Sequence, residues 1–262
     1  MKPVTLISGA SAGIGAELAR VFAAHGHELV LVARRADRLT ALADEIAAAG
    51  RPRPTVLSVD LRRRDAVAGI AAELSAHAFE PEIVVNNAGF GLVGPAAAIS
   101  REEQLAMIDL NVRALTELSL AFVDSLERHR GGLLNVASVA GFMPGPGMAV
   151  YYASKAFVLS FSEALHQELS HRGIRVTALC PGPVPTEFQV RAGLRAERAQ
   201  SALMTLPADR VARIGYDGFR RGKRVVVAGV GNRIGLILLR FVPNAVLLPL
   251  LDWGTRWAAR DS

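Results

Sequence analysis

The sequence predicts an α/β fold: a Rossmann-like, doubly wound sheet of about seven parallel strands, flanked by helices on both faces. Two observations lead to this prediction. Apolar runs of strand length recur along the chain, and several are apolar at consecutive positions, which is typical of strands covered on both faces. Helix-length segments separate these runs, and such alternation predicts a parallel sheet whose connections pack on its two sides.

Each element follows from its pattern of apolar residues. The predicted strands are residues 4–9, 28–33, 55–60, 82–89, 132–138, 174–180 and 224–229. Apolar residues at three- and four-residue spacings predict the helices. These are residues 16–26, 37–50, 64–77, 101–129 and 151–172. No linker rich in proline, glycine or serine divides the chain, so we expect residues 1–262 to form one domain that ends in an apolar C-terminal extension, residues 231–262.

Composition and charge argue against several classes of protein. Hydrophobic residues make up 51% of the chain and charged residues 21%, which is typical of a globular domain and not of a disordered tail. The net charge of +6 comes from arginines scattered along helical faces, so we expect no nucleic-acid partner. Cys180 is the only cysteine, and we expect it to be a buried core residue. The sequence does not begin with a signal-like segment, so we expect a cytoplasmic protein.

A glycine-rich turn, SGASAGIG at residues 8–15, joins the first predicted strand to the first helix. Glycine has no Cβ and lets backbone N–H groups approach an anion, so Gly9, Gly13 and Gly15 suit a phosphate. A tight turn that binds nothing is the alternative. In doubly wound sheets, however, ligands bind at the carboxyl ends of the strands, near the point where strand order reverses. The turn is predicted there, which favours a nucleotide site.

Four further elements are predicted to follow strands. They are Asn86-Asn87-Ala88-Gly89, Ser138, the pair Tyr151 and Lys155, and Pro181-Gly182. In this order, and together with the glycine-rich turn, they make the chain resemble the short-chain dehydrogenase/reductase family over roughly residues 3–190. Ser8 stands where that family usually has threonine. Since both side chains carry a hydroxyl, we expect little functional consequence.

The chemistry of carbonyl reduction gives reasons for these residue types. The carbonyl oxygen gains alkoxide character as hydride arrives at carbon, so it needs a proton donor and hydrogen bonds. Tyrosine has an ordinary pKa near ~10, and a neighbouring cation should lower it. Lys155 lies one helical turn after Tyr151 and on the same face. Ser138 can hydrogen-bond the substrate oxygen and orient it.

The resemblance implies a role for each catalytic residue. Tyr151 is the general acid and base, Lys155 also holds the nicotinamide ribose, and Asn111 anchors a proton-relay water. Asn111 is predicted within a helix, where asparagine is a poor helix former and needs a reason to be present. A polar residue that bends the helix at the surface is the alternative.

Tyr152 is a competitor for the role of proton donor. It lies three residues before Lys155, so helical geometry alone does not exclude it. The family spacing selects Tyr151. We therefore expect Tyr152 to be an aromatic residue that packs along the cleft.

Two arginines after the second predicted strand indicate the cofactor. Folds that bind NAD usually carry an acidic residue there, which accepts hydrogen bonds from the ribose 2′-hydroxyl. Arg34 and Arg35 instead match a 2′-phosphate in charge and geometry, so we expect NADP(H). An arginine pair that only caps the following helix is the alternative. His166 and His171 lack a metal-ligand spacing on one helix face, and we expect no metal site.

The resemblance implies further contacts with this cofactor. Asp60 is the adenine-contacting aspartate, residues 87–89 run along the adenosine ribose, and Thr186 holds the carboxamide or the pyrophosphate. The cofactor-binding residues predicted in this way are Gly9, Ser11, Gly13, Ile14, Gly15, Arg34, Arg35, Asp60, Asn87, Ala88, Gly89, Tyr151, Lys155, Pro181, Gly182, Val184 and Thr186.

The substrate is suggested only by the segments expected around the pocket, residues 139–150 and 184–206. Their large apolar residues are Phe142, Met143, Met148, Phe188 and Leu206. The predicted function is therefore an NADP(H)-dependent oxidoreductase acting on an apolar carbonyl or alcohol, in preference to a sugar phosphate or small acid. One alternative is a ketoacyl-thioester reductase of lipid metabolism, which shares every motif. Another is a non-catalytic nucleotide-binding scaffold or regulator, which would not need the serine, tyrosine and lysine.

Two features of the sequence bear on partners. In the resembling family the long helices, here 101–129 and 151–172, pair across a two-fold axis, so we expect a homodimer or homotetramer. The tail, residues 231–257, is too apolar to lie uncovered. It is interrupted short of the ~20 residues that a membrane span needs. The interrupting residues are Arg240, Pro243, Asn244 and Pro249.

Three hypotheses follow for this tail. It forms a lid over the substrate pocket, a subunit interface, or a segment that lies on a membrane surface. Trp253 and Trp257 beside several arginines suit a segment at the level of lipid headgroups. The same residue types are equally common in protein interfaces.

Overall fold

The computed structural model describes residues 1–192, 204–243 and 245–252, and its centre is a parallel sheet of seven strands. The strands are β1 (Lys2–Ser8), β2 (Leu29–Ala33), β3 (Thr55–Ser58), β4 (Phe79–Asn86), β5 (Gly132–Val136), β6 (Arg175–Cys180) and β7 (Val225–Val227). Their order in the sheet is β3-β2-β1-β4-β5-β6-β7, so the strand order reverses between β1 and β4. The predicted fold class is confirmed. Five strands end earlier than predicted, because the last residues of their predicted ranges form loops at the carboxyl edge of the sheet.

Helices cover both faces of this sheet. Within the described residues they are α1 (Gly13–Ala24), α2 (Ala36–Ala48), α3 (Ala66–Ala76), α4 (Arg101–Ile108), α5 (Leu115–Ala121), α6 (Val123–Arg128), α7 (Ala149–Ser170), α8 (Glu187–Arg191), α9 (Ala208–Arg220) and α10 (Val230–Leu239). A short 3₁₀ turn, Val139–Phe142, follows β5. The predicted helices are all represented, although one of them is divided.

The long helical stretch predicted at 101–129 is present, but it is not one regular α-helix. A π-helical segment, Asp109–Ala114, separates α4 from α5. Phe122 then leaves helical geometry, with φ −116°, between α5 and α6. π-Helical turns arise where an extra residue is accommodated in a helix, and they are frequent at functional sites. Asn111 lies within this segment.

Helix α9 is not predicted from the sequence. Its two glycines, Gly215 and Gly218, lower the helix propensity of the segment and obscure its apolar pattern. Both glycines are buried, and a Cβ on Gly215 would lie 2.6 Å from Cδ2 of Leu179. The glycines therefore let α9 pack closely on β6, and this tertiary contact outweighs the weak local propensity.

The two largest apolar clusters of the described residues lie on opposite faces of the sheet. Leu6 of β1 packs in the core that includes α3, α5 and α7, whereas Ile7 packs in the core that includes α1 and α9. Both side chains are fully buried. Cys180 is also buried, as expected. Burial of neighbouring residues on both faces explains why the strands are apolar at consecutive positions.

The described part of the tail is helical. It consists of α10 and of residues 245–252, with Pro243 between them. Pro249 lies inside the second helical stretch, so the expectation that it breaks the helix is wrong. The helix tolerates the loss of the one backbone hydrogen bond that proline cannot donate. Among the residues described, none of the helices is long and apolar enough to cross a membrane. Asn244, Trp253 and Trp257 lie outside the described residues.

Candidate active site

Ser8 joins the carboxyl ends of β1 and β4, where the predicted site begins. Its hydroxyl donates to the carbonyl oxygen of Val85 (3.2 Å) and accepts from the backbone N–H groups of Asn87 (3.0 Å) and Ala88 (3.2 Å). The Ser8 side chain is buried. Its hydroxyl therefore holds the loop after β4 against the glycine-rich turn, a task for which either serine or threonine has the necessary group.

The glycine-rich turn is packed too closely for side chains. Gly9 has φ +67°, and a Cβ on it would lie 2.7 Å from Nδ2 of Asn87. A Cβ on Gly15 would overlap the same amide and the carbonyl of Gly9. The Asn87 amide donates to the carbonyl oxygens of Ser8 and Gly9, each at 3.1 Å. The glycines therefore let the turn pack against the loop after β4 at the N-terminus of α1, and a helix N-terminus is a position that suits an anion.

The loop after β6 packs against this turn. A Cβ on Gly13 would lie 3.1 Å from the methyl carbon of Thr186, and Val184 is buried nearby in the core that includes α1. Ile14 packs on the same core. The structure thus brings the predicted loop residues after β6 next to the turn after β1.

Arg35 contacts the glycine-rich turn directly. Its guanidinium donates to the hydroxyl of Ser11 at 3.2 and 3.4 Å and forms an ion pair with Glu187 of α8 at 2.8 Å. Arg34 is exposed at the end of β2. Among the described residues, Arg34 has no carboxylate within ion-pair distance. Positive charge therefore lies where the sequence predicts a 2′-phosphate.

Asp60 lies after β3 at the same edge. Arg62 binds its carboxylate through Nε and Nη2, and these hydrogen bonds are the main reason why the pKa of Asp60 falls to about 2. The positive charge of Arg34 lowers this pKa further. Asp60 is thus an acceptor at neutral pH, and its contact with adenine stays a prediction.

Lys155 is buried at the centre of the site, with only 5% of its surface exposed. Its Nζ donates to the carbonyl oxygen of Val136, at the end of β5, over 2.8 Å. Burial lowers the pKa of Lys155 from 10.5 to about 8. Nζ lies 5.9 Å from the ring centre of Tyr151, so the cation and the phenol share one face of α7, as the spacing predicts.

Burial dominates the acidity of Tyr151. It raises the pKa of the phenol to about 12, against a hydrogen bond with Ser138 that lowers it. The expectation that the neighbouring cation sets a lowered pKa is therefore wrong for this structure. The reason is that desolvation disfavours the phenolate more strongly than the nearby polar groups favour it. Tyr151 is protonated at neutral pH.

Tyr152 faces a different part of the structure. Its ring lies against Gly145, so that a Cβ on this glycine would overlap it. The rings of Tyr151 and Tyr152 meet edge to face at 6.1 Å. Ser138 lowers the pKa of Tyr151 and does not act on Tyr152, which favours Tyr151 as the candidate proton donor.

Ser138 begins the 3₁₀ turn after β5. Its hydroxyl accepts from the N–H of Ala140 (3.1 Å) and points toward the carbonyl oxygen of Pro181 at 3.5 Å. This side chain therefore joins the ends of β5 and β6 beside Tyr151.

Asn111 is buried, with 1% of its surface exposed, so the alternative of a surface residue is wrong. Its amide nitrogen donates to the carbonyl oxygen of Phe90 (2.9 Å) and to the hydroxyl of Ser154 (3.0 Å). Its amide oxygen accepts from the N–H of Phe90 (3.1 Å). Asn111 thus ties the loop after β4 to the first turns of α7. Its role in a proton relay stays a prediction.

Glu187 and Asn232 are assigned no role from the sequence, whereas Phe188 is expected near the pocket. Glu187 pairs with Arg35, and Phe188 packs on Tyr151 with ring centres 5.4 Å apart. Asn232 of α10 packs against Gly182 and donates to the carbonyl oxygen of Ala228. An asparagine within an otherwise apolar helical pattern is the sequence signal that could have indicated the contact of Asn232. In the described part of the chain, no group of three or more His, Cys, Asp and Glu side chains is arranged to hold a metal ion.

Comparison with known proteins agrees with this geometry. The chain matches a family model described as short chain dehydrogenase over residues 3–196. It is 40% identical over 197 residues to sulfoacetaldehyde reductase 2 of Chromohalobacter salexigens, which covers 74% of this chain and 77% of that protein. It is 38% identical over 188 residues to the NADP-dependent 3-hydroxy acid dehydrogenase of Salmonella typhi, covering 71% of this chain and 74% of that one.

A solved structure extends the similarity to the whole fold. The short-chain dehydrogenase from Sphingobium yanoikuyae, solved in complex with NADPH, superposes with a TM-score of 0.80 at 34% identity. The superposition covers 99% of this chain and 96% of that one. With the family model, the seven-stranded parallel sheet and the site at its carboxyl edge in agreement, the chain belongs to the short-chain dehydrogenase family of oxidoreductases.

Proposed function

We propose that the chain is an NADP(H)-dependent oxidoreductase that transfers a hydride between the nicotinamide and an apolar carbonyl or alcohol. The observation that carries this proposal is the convergence of Ser138, Tyr151 and Lys155 beside the glycine-rich turn. A scaffold or regulator without turnover has no need of a buried ammonium group next to a hydrogen-bonded phenol. This arrangement therefore argues against the non-catalytic alternative.

The residues at the turn fit a dinucleotide with a 2′-phosphate. Gly9 and Gly15 pack the turn tightly against Asn87 and set it at the N-terminus of α1, where backbone N–H groups suit a pyrophosphate. Arg34 and Arg35 supply positive charge after β2, where an NAD-binding protein usually carries an acid. One relative is named as NADP-dependent, and one similar structure contains NADPH. These observations favour NADP(H) over NAD(H).

Tyr151 acts as the proton donor in the direction of reduction. When bound, the nicotinamide supplies the hydride. Tyr151 holds its proton at neutral pH because burial raises its pKa to about 12, and it passes that proton to the carbonyl oxygen. Ser138 hydrogen-bonds Tyr151 and orients the substrate oxygen. Lys155, which is protonated below its pKa of about 8, stabilises the phenolate that the transfer leaves.

Asn111 acts through its neighbours. Its hydrogen bonds to Phe90 and Ser154 fix the start of α7, and Ser154 directly precedes Lys155 in the chain. We propose that this tie positions the ammonium group under the phenol and anchors the predicted relay water. Asn111 is in this sense a positioning residue.

The surroundings of Tyr151 favour an apolar substrate. Phe188 packs against its ring, and a Cβ on Gly91 would touch the side chains of Phe188, Met148 and Tyr151. A small cavity of about 10 Å³ beside the tyrosine has no charged side chain among its described lining residues. Its apolar lining residues include Leu92, Ile99, Met107, Met148 and Val150. None of the described residues that line this cavity would offer a cationic partner to an acid.

A small anionic carbonyl is the second candidate substrate. The relatives described above are named for sulfoacetaldehyde and for 3-hydroxy acids. Ketoacyl thioesters remain a third possibility, since their reductases share the same motifs. We prefer apolar carbonyls or alcohols because the described residues that line the cavity beside Tyr151 are mostly apolar.

We also propose a homodimer or homotetramer built on α4 to α7. These helices expose large apolar side chains that a partner subunit would cover. They are Leu105, Ile108, Leu120 and Phe157.

A substrate panel tests the proposed function. With NADPH, the enzyme should reduce apolar ketones and aldehydes with kcat/KM about 10-fold or more above sulfoacetaldehyde, 3-oxo acids and a ketoacyl thioester, since a few apolar contacts discriminate by this factor. Initial rates of NADPH oxidation give the values. The highest kcat/KM for an anionic or thioester substrate would contradict the apolar class, and absence of turnover across the panel would contradict the oxidoreductase proposal.

The tyrosine assignment is tested by two matched substitutions. Tyr151→Phe removes the dissociable proton and keeps the ring, so turnover should fall by ~10²–10⁴-fold while NADPH affinity is retained. Tyr152→Phe, the control, removes a hydroxyl from the ring that lies against Gly145 and should have little effect. Rates are measured with the best substrate of the panel. If Tyr152→Phe lost activity and Tyr151→Phe kept it, the assignment would be wrong.

Cofactor choice is tested by direct binding. Arg34→Ala should weaken NADPH by ~10–150-fold and NADH far less, because only NADPH loses a charge-assisted contact. Arg38→Ala, which removes an exposed arginine one turn along the chain, is the control and should change neither affinity. Fluorescence titration of the reduced cofactors gives both dissociation constants. Equal weakening of NADPH and NADH by Arg34→Ala would show that this residue does not read the 2′-phosphate.

A further inference from the structure

The described part of the tail presents an apolar surface to solvent. We define this tail surface by seven large side chains that are each more than half exposed: Val230, Ile234, Ile237, Leu238, Phe241, Val246 and Leu250. The first five follow the spacing of one helix face along α10 and its end. Asn232 and Leu247, on the other side, are buried. The tail is therefore amphipathic, with its apolar face turned away from the protein.

Basic residues outnumber acidic ones along α10 and the chain that precedes it. The sequence between Asp217 and Asp252 contains no acidic residue and six basic ones. Two of these, Arg233 and Arg240, lie exposed on α10 and at its end, next to the tail surface. Neither has a carboxylate within ion-pair distance in the described part of the chain. On α10 and at its end the exposed apolar side chains are flanked by arginine alone, which is typical of a helix that lies in the headgroup region of an anionic membrane.

The positive charge of Arg233 and Arg240 favours a membrane, and not a second copy of the chain, as the occupant of the tail surface. A two-fold contact between tail surfaces would bring Arg233 and Arg240 of one copy close to the same arginines of the other. Anionic headgroups instead complement both residues. The apolar side chains proposed to pair subunits lie on α4 to α7, on other elements of the fold.

Helix α10 is fixed to the active site. Asn232 packs against Gly182 of the loop after β6 and donates to the carbonyl oxygen of Met204 over 2.9 Å. The same helix contacts the 3₁₀ turn Val139–Phe142, which begins directly after Ser138. Phe142 and Met204 are themselves 43% and 42% exposed. The apolar surface and the catalytic residues therefore belong to one side of the molecule.

We propose that the tail surface docks on an anionic lipid membrane and brings the active site to apolar carbonyls or alcohols dissolved in it. The docking itself is inferred from the tail surface alone. The nature of the substrate rests on the proposed function. An enzyme for apolar substrates held in a membrane would have reason to carry an exposed apolar helix beside its catalytic serine. The arginines bind the headgroups, and the apolar face enters the boundary between headgroups and acyl chains.

Vesicle co-sedimentation of the full chain tests the docking. The protein should sediment with vesicles of phosphatidylglycerol and phosphatidylcholine, and far less with phosphatidylcholine alone. Ile237→Glu with Phe241→Glu should abolish sedimentation. Arg233→Glu with Arg240→Glu should lower the partition coefficient about 10-fold or more. Arg51→Glu with Arg64→Glu, which changes the net charge equally at exposed sites elsewhere, should keep the wild-type partition coefficient within about 3-fold.

Three controls make the result decisive. Circular dichroism and NADPH binding show that each variant is folded. Analytical ultracentrifugation without lipid shows whether Ile237→Glu with Phe241→Glu changes the oligomeric state; loss of an oligomer would assign the tail surface to a subunit contact and overturn the proposal. A wild-type chain that stays in the supernatant with anionic vesicles would also overturn it. Activity is not needed for any of these readouts, so failure of the proposed function is seen separately in the substrate panel.

Discussion

The buried ammonium group of Lys155 is the constraint on which the site depends. It keeps one hydrogen bond, to the carbonyl oxygen of Val136, and burial lowers its pKa from 10.5 to about 8. A shift of this size corresponds to about 3 kcal/mol against the charged form at neutral pH. Since the unfolded chain binds this proton more tightly, its contribution to stability should rise as the pH increases from about 8 to 10.5. The hydrogen bond of Lys155 with Val136 holds α7 against the end of β5 in spite of this unfavourable term.

The positions of the other catalytic candidates follow from that contact. Ser138 lies two residues after Val136, and Tyr151 lies one helical turn before Lys155, so a fixed lysine sets the approach of the serine to the phenol. Asn111 fastens the same end of α7 from the opposite side through Ser154. Because the strands are parallel, the glycine-rich turn after β1 opens at the same edge of the sheet. One buried contact thus aligns the elements that we propose to carry out the reaction.

Local signals in the sequence were sufficient for the strands and for the order of the motifs. The runs of consecutive apolar residues predicted strands buried on both faces, and the glycines indicated places where two backbone segments come close together. Contacts between distant residues were not predictable in this way. Arg35 and Glu187 are 152 positions apart, and neither residue alone indicates the pair. The acidity of Tyr151 was likewise misjudged, because the sequence names the neighbouring lysine but does not report how deeply the phenol is buried.

The pKa of Lys155 tests the central claim most directly. The chain has only three lysines, so labelling lysine with carbon-13 gives three Cε resonances, and Lys155→Met identifies one of them. We predict that this resonance titrates near pH 8, and that it does so in a protein whose fold is unchanged by circular dichroism across the titration. Titration at or above the ordinary lysine value of 10.5 would contradict the account, because it would show that the ammonium group is not buried beside Tyr151.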